Sequence, residues 1–182
     1  MKVITAIEDH MPNPGEVWCF LAGGITNCPE WQDKVIEYLK RFEDTDDLVI
    51  FNPRRKNFPI DDPNASQEQI KWEFYYLERM GLFSMYFSSG ESDQPICMYE
   101  LGRNLTRMQC DFPDDFSDRI IITVEDGYRR KNDVIIQTDL ATDYSVSTMI
   151  CGDFNEGTYA HASRIYGAYR RIVDSRYSWY ND

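Results

Sequence analysis

Histidine is scarce in this chain of 182 residues, which contains only His10 and His161. Neither histidine stands near a serine, a cysteine or an acidic cluster at the spacing of a catalytic triad or a metal site. The five cysteines are widely spaced and odd in number, and no two of them form a Cys-x-x-Cys pair. This distribution argues against a disulfide framework and a zinc site, so we expect reduced thiols, no metal and no cofactor.

Positive charge is also scarce, because the chain has 19 lysines and arginines against 31 aspartates and glutamates, giving a net charge of −12. Such a surface repels polyphosphate, which argues against a polynucleotide partner. The sequence has no apolar run of membrane-spanning length and no pattern of a secretory signal at its start. We therefore expect a cytoplasmic protein with no membrane partner. The length favours a single domain over residues 1–182.

Apolar runs and helical spacings alternate along the chain. The predicted strands lie at residues 17–22, 48–51, 82–87, 119–124 and 133–137, and the predicted helices at 31–42, 66–80, 95–108 and 156–175. The strands are continuously apolar rather than alternating, which is typical of strands that are buried on both faces. The order predicts an α/β fold, with a mostly parallel five-stranded sheet and helices on both faces.

Two of the helices have particular residues predicted at their starts. Asn27 is suited to cap the first helix, with Pro29 in its first turn. Ser66 and Gln69 have the spacing of a capping box for the second helix. The buried stripe of that second helix is predicted to consist of Ile70, Phe74, Leu77 and Met80.

In open parallel sheets, ligands bind beyond the carboxyl ends of the strands. That rule selects the Gly23-Gly24 pair, residues 52–55, the loop at 88–100 and the segment after Val124. Gly23 and Gly24 allow a ligand to approach the backbone closely, and the helix that follows offers free N–H groups. The pair has neither a G-x-G-x-x-G nor a Walker pattern, so a plain strand-to-helix turn is an equally good interpretation.

Cations are concentrated at two places on this edge of the predicted sheet. The first is the run Asn52-Pro-Arg-Arg-Lys56, where arginine side chains could hold an anionic group such as a phosphate. The alternative is a solvated loop whose cations pair with Asp61 and Asp62. A second cationic run follows at residues 129–131, and two runs at one edge favour the ligand interpretation.

Two glutamates are candidates for chemistry at the same edge. Glu100 lies near the start of a predicted helix, where the helix dipole favours an ionised carboxylate. An ionised carboxylate that faces a pocket is what a nucleophile in retaining glycosyl transfer must be. Glu73, on the preceding helix, could supply a proton or orient a base. In a chain with 31 acidic residues, the alternative for each is a solvated residue on a helix face.

Several motifs, taken in order, resemble the nucleoside 2-deoxyribosyltransferase-like family. They are FLAGGI at 20–25, Trp31-Gln32, Asn52-Pro-Arg-Arg55, QIKWE at 69–73, Pro95-Ile96, YELG at 99–102 and the segment 127–134. The resemblance covers about residues 17–140 and is greatest to the branch with the Asn-Pro-Arg-Arg element. It implies a flavodoxin-like sheet and cleavage of the N-glycosidic bond of a (deoxy)nucleoside or nucleotide. The implied mechanism is retaining, through a covalent sugar–enzyme intermediate, with transfer of the sugar to another base or to water.

The resemblance also implies roles for individual residues. Glu100 takes the position of the nucleophile that attacks the anomeric carbon. Glu73 takes the position of an aspartate that contacts the base and assists its protonation. The positions that line the base pocket are taken by Phe20, Ala22 and Gly23. Asn132 corresponds to a residue that reaches into the site of a neighbouring subunit, so a homo-oligomer, a dimer or larger, is expected.

The chain departs from the family pattern at three places. Glu73 stands where the family has an aspartate, and its side chain is longer by one methylene. The acidic residue that precedes the nucleophile and holds the sugar has no direct match, although Asp93 is near enough to substitute for it. Arg54 and Arg55 suggest a phosphorylated or otherwise anionic substrate.

Two further hypotheses stay open. The first is a nucleotide-binding or sensor module of the same fold that does not turn over its ligand, motivated by Glu73 and the clustered cations. The second is a protein-interaction role for the C-terminal aromatic residues, which are Tyr166, Tyr169, Tyr177, Trp179 and Tyr180.

Overall fold

The computed structural model describes residues 1–59 and 61–178. Its centre is a six-stranded sheet in the order β1-β3-β2-β4-β5-β6, in which every neighbouring pair of strands is parallel. The strands are β1 (Lys2–Thr5), β2 (Val17–Gly23), β3 (Leu48–Asn52), β4 (Leu82–Phe87), β5 (Ile120–Glu125) and β6 (Thr148–Cys151). The helices are α1 (Trp31–Leu39), α2 (Ala65–Leu77), α3 (Pro95–Asp111), α4 (Lys131–Ala141) and α5 (Phe154–Ser178), with a short 3-10 helix at Phe116–Arg119.

Helices cover both faces of the sheet. On one face, buried residues of α2, α3 and α4 belong to an apolar cluster that includes Phe20 and Phe51 of the sheet. On the other face, residues of α1 and α5 belong to a second cluster that includes Leu21 and Ile50. Every residue of β3, β4 and β5 is buried, which explains why these strands are continuously apolar in sequence. The predicted α/β class, the mostly parallel sheet and the helices on both faces are confirmed.

The edges of the sheet differ from the sequence-based expectation. The predicted strand at 133–137 is wrong, because these residues lie in α4. Val134 and Thr138 are buried four residues apart, while Ile136 between them is exposed, which is the spacing of a helix with a narrow buried stripe. The edge next to β5 is formed instead by β6, and the opposite edge by β1 next to β3. The sheet therefore has six strands rather than five.

Two helix starts also differ from the prediction. Asn27 does not cap α1, because it lies in the preceding turn with a left-handed φ of 56°, and Glu30 is the N-cap residue. α2 begins after Asn64 without a side-chain cap, so Ser66 and Gln69 form no capping box. The stripe predicted for α2 is only half correct. Leu77 and Met80 are buried, but Ile70 and Phe74 are 64% and 54% exposed.

The inward-facing aromatic residues of α2 are Trp72 and Tyr76, both buried. The last predicted helix is present as the longer α5, in which Tyr169 is buried in the core. Trp179 and Tyr180 lie outside the described residues. Within residues 1–59 and 61–178, none of the helices combines the length and the apolar character that a membrane crossing requires.

β2 and β4 are neighbours, but the chain leaves them towards opposite faces of the sheet. After β2 the chain passes through α1 to β3, and after β4 it passes through α3 to β5. Since α1 and α3 cover opposite faces, a crevice opens between the carboxyl ends of β2 and β4, where open α/β sheets bind ligands. The turn after β2 and the loop after β4 are therefore the two sides of the candidate site.

Candidate active site

A cavity of about 240 Å³, called the glutamate cavity below, occupies this crevice. Its residues come from the end of β2 and the turn after it, from the segment after β3, from α2, from the loop after β4 and from the first turns of α3. They include Phe20, Ala22, Gly23, Gly24, Pro53, Glu73, Gln94, Ile96, Cys97 and Glu100. The two candidate carboxylates and the predicted glycine turn thus lie at one site, although α2 and α3 are separate elements of the chain.

The glycine turn needs both of its glycines. Gly23 has a φ of 149°, and a Cβ atom there would lie 2.4 Å from the backbone oxygen of Tyr86 and 2.6 Å from the ring of Trp31. A Cβ atom on Gly24 would lie 2.3 Å from the sulfur of Cys28 and 2.7 Å from Oε1 of Gln94. The turn is therefore held against β4 and α1, which leaves its backbone as a wall of the cavity.

Gln94 joins the two sides of the crevice. Its Oε1 accepts a hydrogen bond from the backbone N–H of Gly24 at 3.2 Å, and its Nε2 donates to the backbone oxygen of Ser88 at 2.9 Å. The residue is buried, has a left-handed φ of 47° and is the N-cap of α3. Sequence analysis missed Gln94, although its place directly before Pro95 is a sign of a helix start.

Glu73 reaches the cavity from α2 together with Gln69. Nε2 of Gln69 donates to Oε1 of Glu73 at 2.9 Å and also to the backbone oxygen of Pro53 at 3.0 Å. The Gln69 side chain therefore links the helix to the segment after β3 and orients the carboxylate. Burial raises the pKa of Glu73 above its usual range, and the hydrogen bond from Gln69 opposes this shift in part.

Glu100 reaches the cavity from α3. Burial and, after it, the charge of Glu73 raise the pKa of Glu100 to about 7, while Arg103 acts in the opposite direction. This is opposite to the direction expected from the helix dipole. Glu100 is in the second turn of α3, where the dipole is weak, so burial and the neighbouring carboxylate dominate.

Asn52, Arg54 and Arg55 line a neighbouring cavity, and of this segment only Pro53 lines the glutamate cavity. The guanidinium of Arg54 is occupied by the chain itself. It donates from Nη2 to the backbone oxygen of Pro29 at 2.8 Å and from Nε to Oε1 of Gln32 at 2.9 Å. These contacts fix the turn between β2 and α1 to the segment after β3.

Asp93 and Asn132 lie outside the lining of the glutamate cavity. Asp93 pairs with Arg129 at 2.9 Å, and Asn132 is exposed on α4. The neighbouring cations are paired as well, Arg130 with Asp133 at 2.9 Å and Lys131 with Asp126. The second cationic run is therefore neutralised by acidic residues and presents no free cluster of positive charge.

Among the residues that the structure describes, no group of three or more histidine, cysteine or acidic side chains is arranged to hold a metal ion. The buried His161 accordingly has other partners. Its Nε2 lies 2.8 Å from the hydroxyl of Ser84, and its Nδ1 lies 2.8 Å from the hydroxyl of Thr123. Burial lowers the pKa of this imidazole to about 3, so it is a neutral part of the core.

A search of curated proteins finds no match to the chain. A family model described as nucleoside 2-deoxyribosyltransferase like matches residues 17–110, which is just over half of the chain. The matched segment runs from β2 into α3 and includes the glycine turn and both glutamates of the cavity. The match supports a glycosyl-transfer role in general. The chain therefore belongs to the nucleoside 2-deoxyribosyltransferase-like family.

Proposed function

We propose that this protein cleaves the N-glycosidic bond of a deoxynucleoside or nucleotide with retention of configuration, through a covalent intermediate between the sugar and Glu100. The observation that carries the proposal is that Glu73 and Glu100 line one cavity at the β2/β4 crevice, close enough that the charge of one raises the pKa of the other. Retaining glycosyl transfer requires two such carboxyl groups with different protonation states.

In the first step, the Glu100 carboxylate attacks the anomeric carbon. An ester bond forms between the sugar and Glu100, the C–N bond breaks, and its electron pair leaves with the base. Glu73 gives a proton to the departing base. In the second step, a nitrogen of another base, or water, attacks the same carbon, the ester bond breaks, and Glu73 takes up the proton of the acceptor. Glu100 leaves as a carboxylate, so both residues return to their initial states.

The electrostatics of the pair suit this division of roles. Burial raises the pKa of both carboxyl groups, and the charge of Glu73 raises that of Glu100 further, so the pair resists carrying two charges at once. When a proton is on Glu73, the charge that contributes to the raised pKa of Glu100 is absent, which favours ionisation of Glu100. The productive state is therefore a protonated Glu73 beside an ionised Glu100.

The other walls of the cavity fit a base and a sugar. Phe20 and Ala22 supply apolar surface, and the backbone of the glycine turn allows close approach of a planar ring. Ile96 and Cys97 line the cavity from the first turn of α3, where backbone N–H groups have no partner within the helix and are available to a sugar oxygen.

We also propose that the protein forms a homo-oligomer. Ile70 and Phe74 of α2 are exposed, as are Ile96 and Tyr99 of α3, and these two helices border the glutamate cavity. Exposed apolar side chains beside a site support a subunit contact at that place. A cytoplasmic location is part of the proposal, supported by the five free cysteines.

Chromatography of free base tests the enzymatic proposal. The protein is incubated with deoxynucleosides and their 5′-monophosphates, with and without a second base. We expect base release that is lost in Glu100→Gln and retained in Glu68→Gln, an exposed glutamate of α2. Exchange of bases would indicate transfer, and release without exchange would indicate hydrolysis.

Binding without base release from any substrate would instead favour the second candidate, a nucleotide-binding module. The observation in favour of that candidate is the pKa of about 7 at Glu100, which leaves the nucleophile partly protonated at neutral pH. Thermal shift with the same ligands shows binding, since a ligand at 100 times its Kd stabilises the fold by about 2.7 kcal/mol. Stabilisation without base release supports the binding module, and stabilisation with base release supports the enzyme.

A further inference from the structure

A second cavity, of about 480 Å³, lies on the other side of the segment after β3. We call it the basic groove, and define it by Asp33 and Lys40 on α1 and the turn after it, Glu8 after β1, and residues 52 and 54–57 after β3. Asp33 and Lys40 are seven residues apart, so at 1.5 Å per residue the groove extends about 10 Å along α1. It is long enough for a ligand with more than one charged group.

Unpaired positive charge is concentrated in this groove. Lys40, Arg55, Lys56 and Lys71 are cations whose side chains form no ion pair or hydrogen bond with any residue in the described part of the chain. The first three line the basic groove, whereas Lys71 is on the exposed side of α2. In a chain of net charge −12, unpaired cations gathered at one place indicate a site for an anion.

Arg55 is the most specific of these cations. Its Nη1 atom is buried and has no hydrogen-bond partner among the described residues. The guanidinium carbon lies 5.4 Å from the ring centroid of Phe58, a cation–π contact that orients the group without using its N–H donors. A buried N–H donor without a partner is costly, and an anionic ligand would satisfy it with a charge-assisted hydrogen bond.

The acidic residues of the groove already have partners. Oε2 of Glu8 accepts a hydrogen bond from the backbone N–H of Thr5 at 2.8 Å, and Oδ1 of Asp33 accepts one from Nδ2 of Asn52 at 3.3 Å. Neither forms an ion pair with Arg55 or Lys56 within the described residues. The cations of the groove are therefore left for an external anion.

We propose that the basic groove binds a phosphate group of a small molecule, with Arg55 as the main contact and Lys56 and Lys40 as supporting charges. A phosphate is favoured because it carries up to two charges and several acceptor oxygens, which match a guanidinium and two ammonium groups. The phosphate belongs either to the substrate, which would pass from the glutamate cavity around Pro53, or to a separate phosphorylated ligand.

Calorimetric titration of the full chain with inorganic phosphate and with pyrophosphate, at an ionic strength kept constant with sodium chloride, tests the proposal. We expect saturable binding of pyrophosphate to the unsubstituted protein. Arg55→Gln should raise Kd at least about tenfold, as expected for a lost charge-assisted hydrogen bond. Lys56→Gln, at an exposed position that cannot disturb folding, should raise Kd by a smaller factor.

Lys71→Gln is the matched control, because it makes the same change of charge at an unpaired cation outside the groove. It should leave Kd unchanged. The proposal is overturned if pyrophosphate shows no saturable binding, if Arg55→Gln or Lys56→Gln leaves Kd unchanged, or if Lys71→Gln raises Kd as much as Arg55→Gln. Glu100→Gln should not alter pyrophosphate binding, so a failure of the proposed glycosidic chemistry leaves this result standing.

Comparison of a deoxynucleoside with its 5′-monophosphate identifies the source of the phosphate. If the added phosphate strengthens binding in the unsubstituted protein and not in Arg55→Gln, the groove holds the substrate phosphate. This comparison of nucleoside with nucleotide rests on the proposed function. If pyrophosphate binds while the monophosphate group adds nothing to nucleoside affinity, the groove holds a separate phosphorylated ligand. Either result supports the anion site.

Discussion

Glu73 and Glu100 line one cavity, in which burial and the charge of Glu73 raise the pKa of Glu100 to about 7. The two residues belong to different helices, and the chain brings them together because α2 precedes β4 and α3 follows it on the same face of the sheet. Burial and, after it, this coupling place the proposed nucleophile at the middle of its titration near neutral pH.

The first expectation concerns the pH dependence of base release. Since the productive pair keeps one proton for the departing base, kcat/KM should fall as pH rises between about 6 and 8, with a midpoint near the pKa of about 7 at which the pair loses its last proton. Glu73→Gln removes both the proton donor and the neighbouring charge, so the lower rate that remains should no longer fall over this range. Glu68→Gln, on the same helix, should leave the midpoint in place. A fall in rate with the same midpoint in Glu73→Gln would contradict the assigned coupling.

A second expectation concerns stability. The folded protein holds the Glu100 proton more tightly than the unfolded chain, because the pKa rises from 4.5 to about 7 on folding. The unfolding free energy should therefore decrease as pH rises from about 4.5 to about 7. At about 1.4 kcal/mol per pKa unit, Glu100→Gln should stabilise the protein at pH 8 by up to roughly 3 kcal/mol and much less at pH 5. Urea unfolding at the two pH values measures this, and an equal effect at both would count against a buried, coupled carboxyl group.

The glycine turn gives a third expectation. Gly23→Ala should destabilise the fold by about 2–5 kcal/mol, because a Cβ atom would meet the backbone of β4 at a φ that L residues rarely adopt. Gly102→Ala, in the middle of α3 with no atom within 4 Å of the new Cβ, should stabilise by about 0.5–1 kcal/mol. Thermal or urea unfolding compares the two, and similar effects at both positions would show that the turn is not tightly held.

Gln94 gives a fourth expectation. Gln94→Ala removes the bridge between Gly24 and Ser88 and leaves a buried N–H without its partner, which should cost about 1–3 kcal/mol. Because the two sides of the crevice are then no longer joined by Gln94, the KM for the nucleoside or nucleotide should increase as well. Gln109→Ala removes a surface hydrogen bond to the backbone oxygen of Ala141. This control should change neither the unfolding free energy nor KM by a comparable amount. Unfolding curves and initial rates measure the two effects, and an unchanged KM would limit Gln94 to a structural role.

The sequence was sufficient to predict the class of fold and the place of the candidate site. Continuously apolar strands separated by helices define a parallel sheet, and the carboxyl-end rule selects the glycine turn and the loop before α3. Glu100 lies in a segment that this rule selects, and Glu73 was a candidate because the preceding helix could face the same edge. The two edge strands, β1 and β6, could not be predicted from the sequence. Each has only four residues and is not buried on both faces, so neither forms a continuous apolar run.

The roles of single polar side chains were harder to predict. Arg54 is a cation next to a predicted ligand edge, but its guanidinium binds backbone oxygens of the turn between β2 and α1, whose direction no sequence pattern specifies. Gln69 has the spacing of a capping residue and instead contacts Glu73. On α2, aromatic residues lie on both sides of the helix, so spacing alone did not show that Trp72 and Tyr76 face the core rather than Phe74.

The covalent intermediate is the central claim, and mass spectrometry of the protein after incubation with a 2′-fluorinated deoxynucleoside tests it most directly. The fluorine destabilises the cationic transition state and slows the second step, so that the ester accumulates. We expect the intact mass to increase by that of the fluorinated sugar without its base, and peptide sequencing to locate the addition at Glu100, with none in Glu100→Gln. Release of base with no adduct, or an adduct on Glu73 instead, would contradict the account.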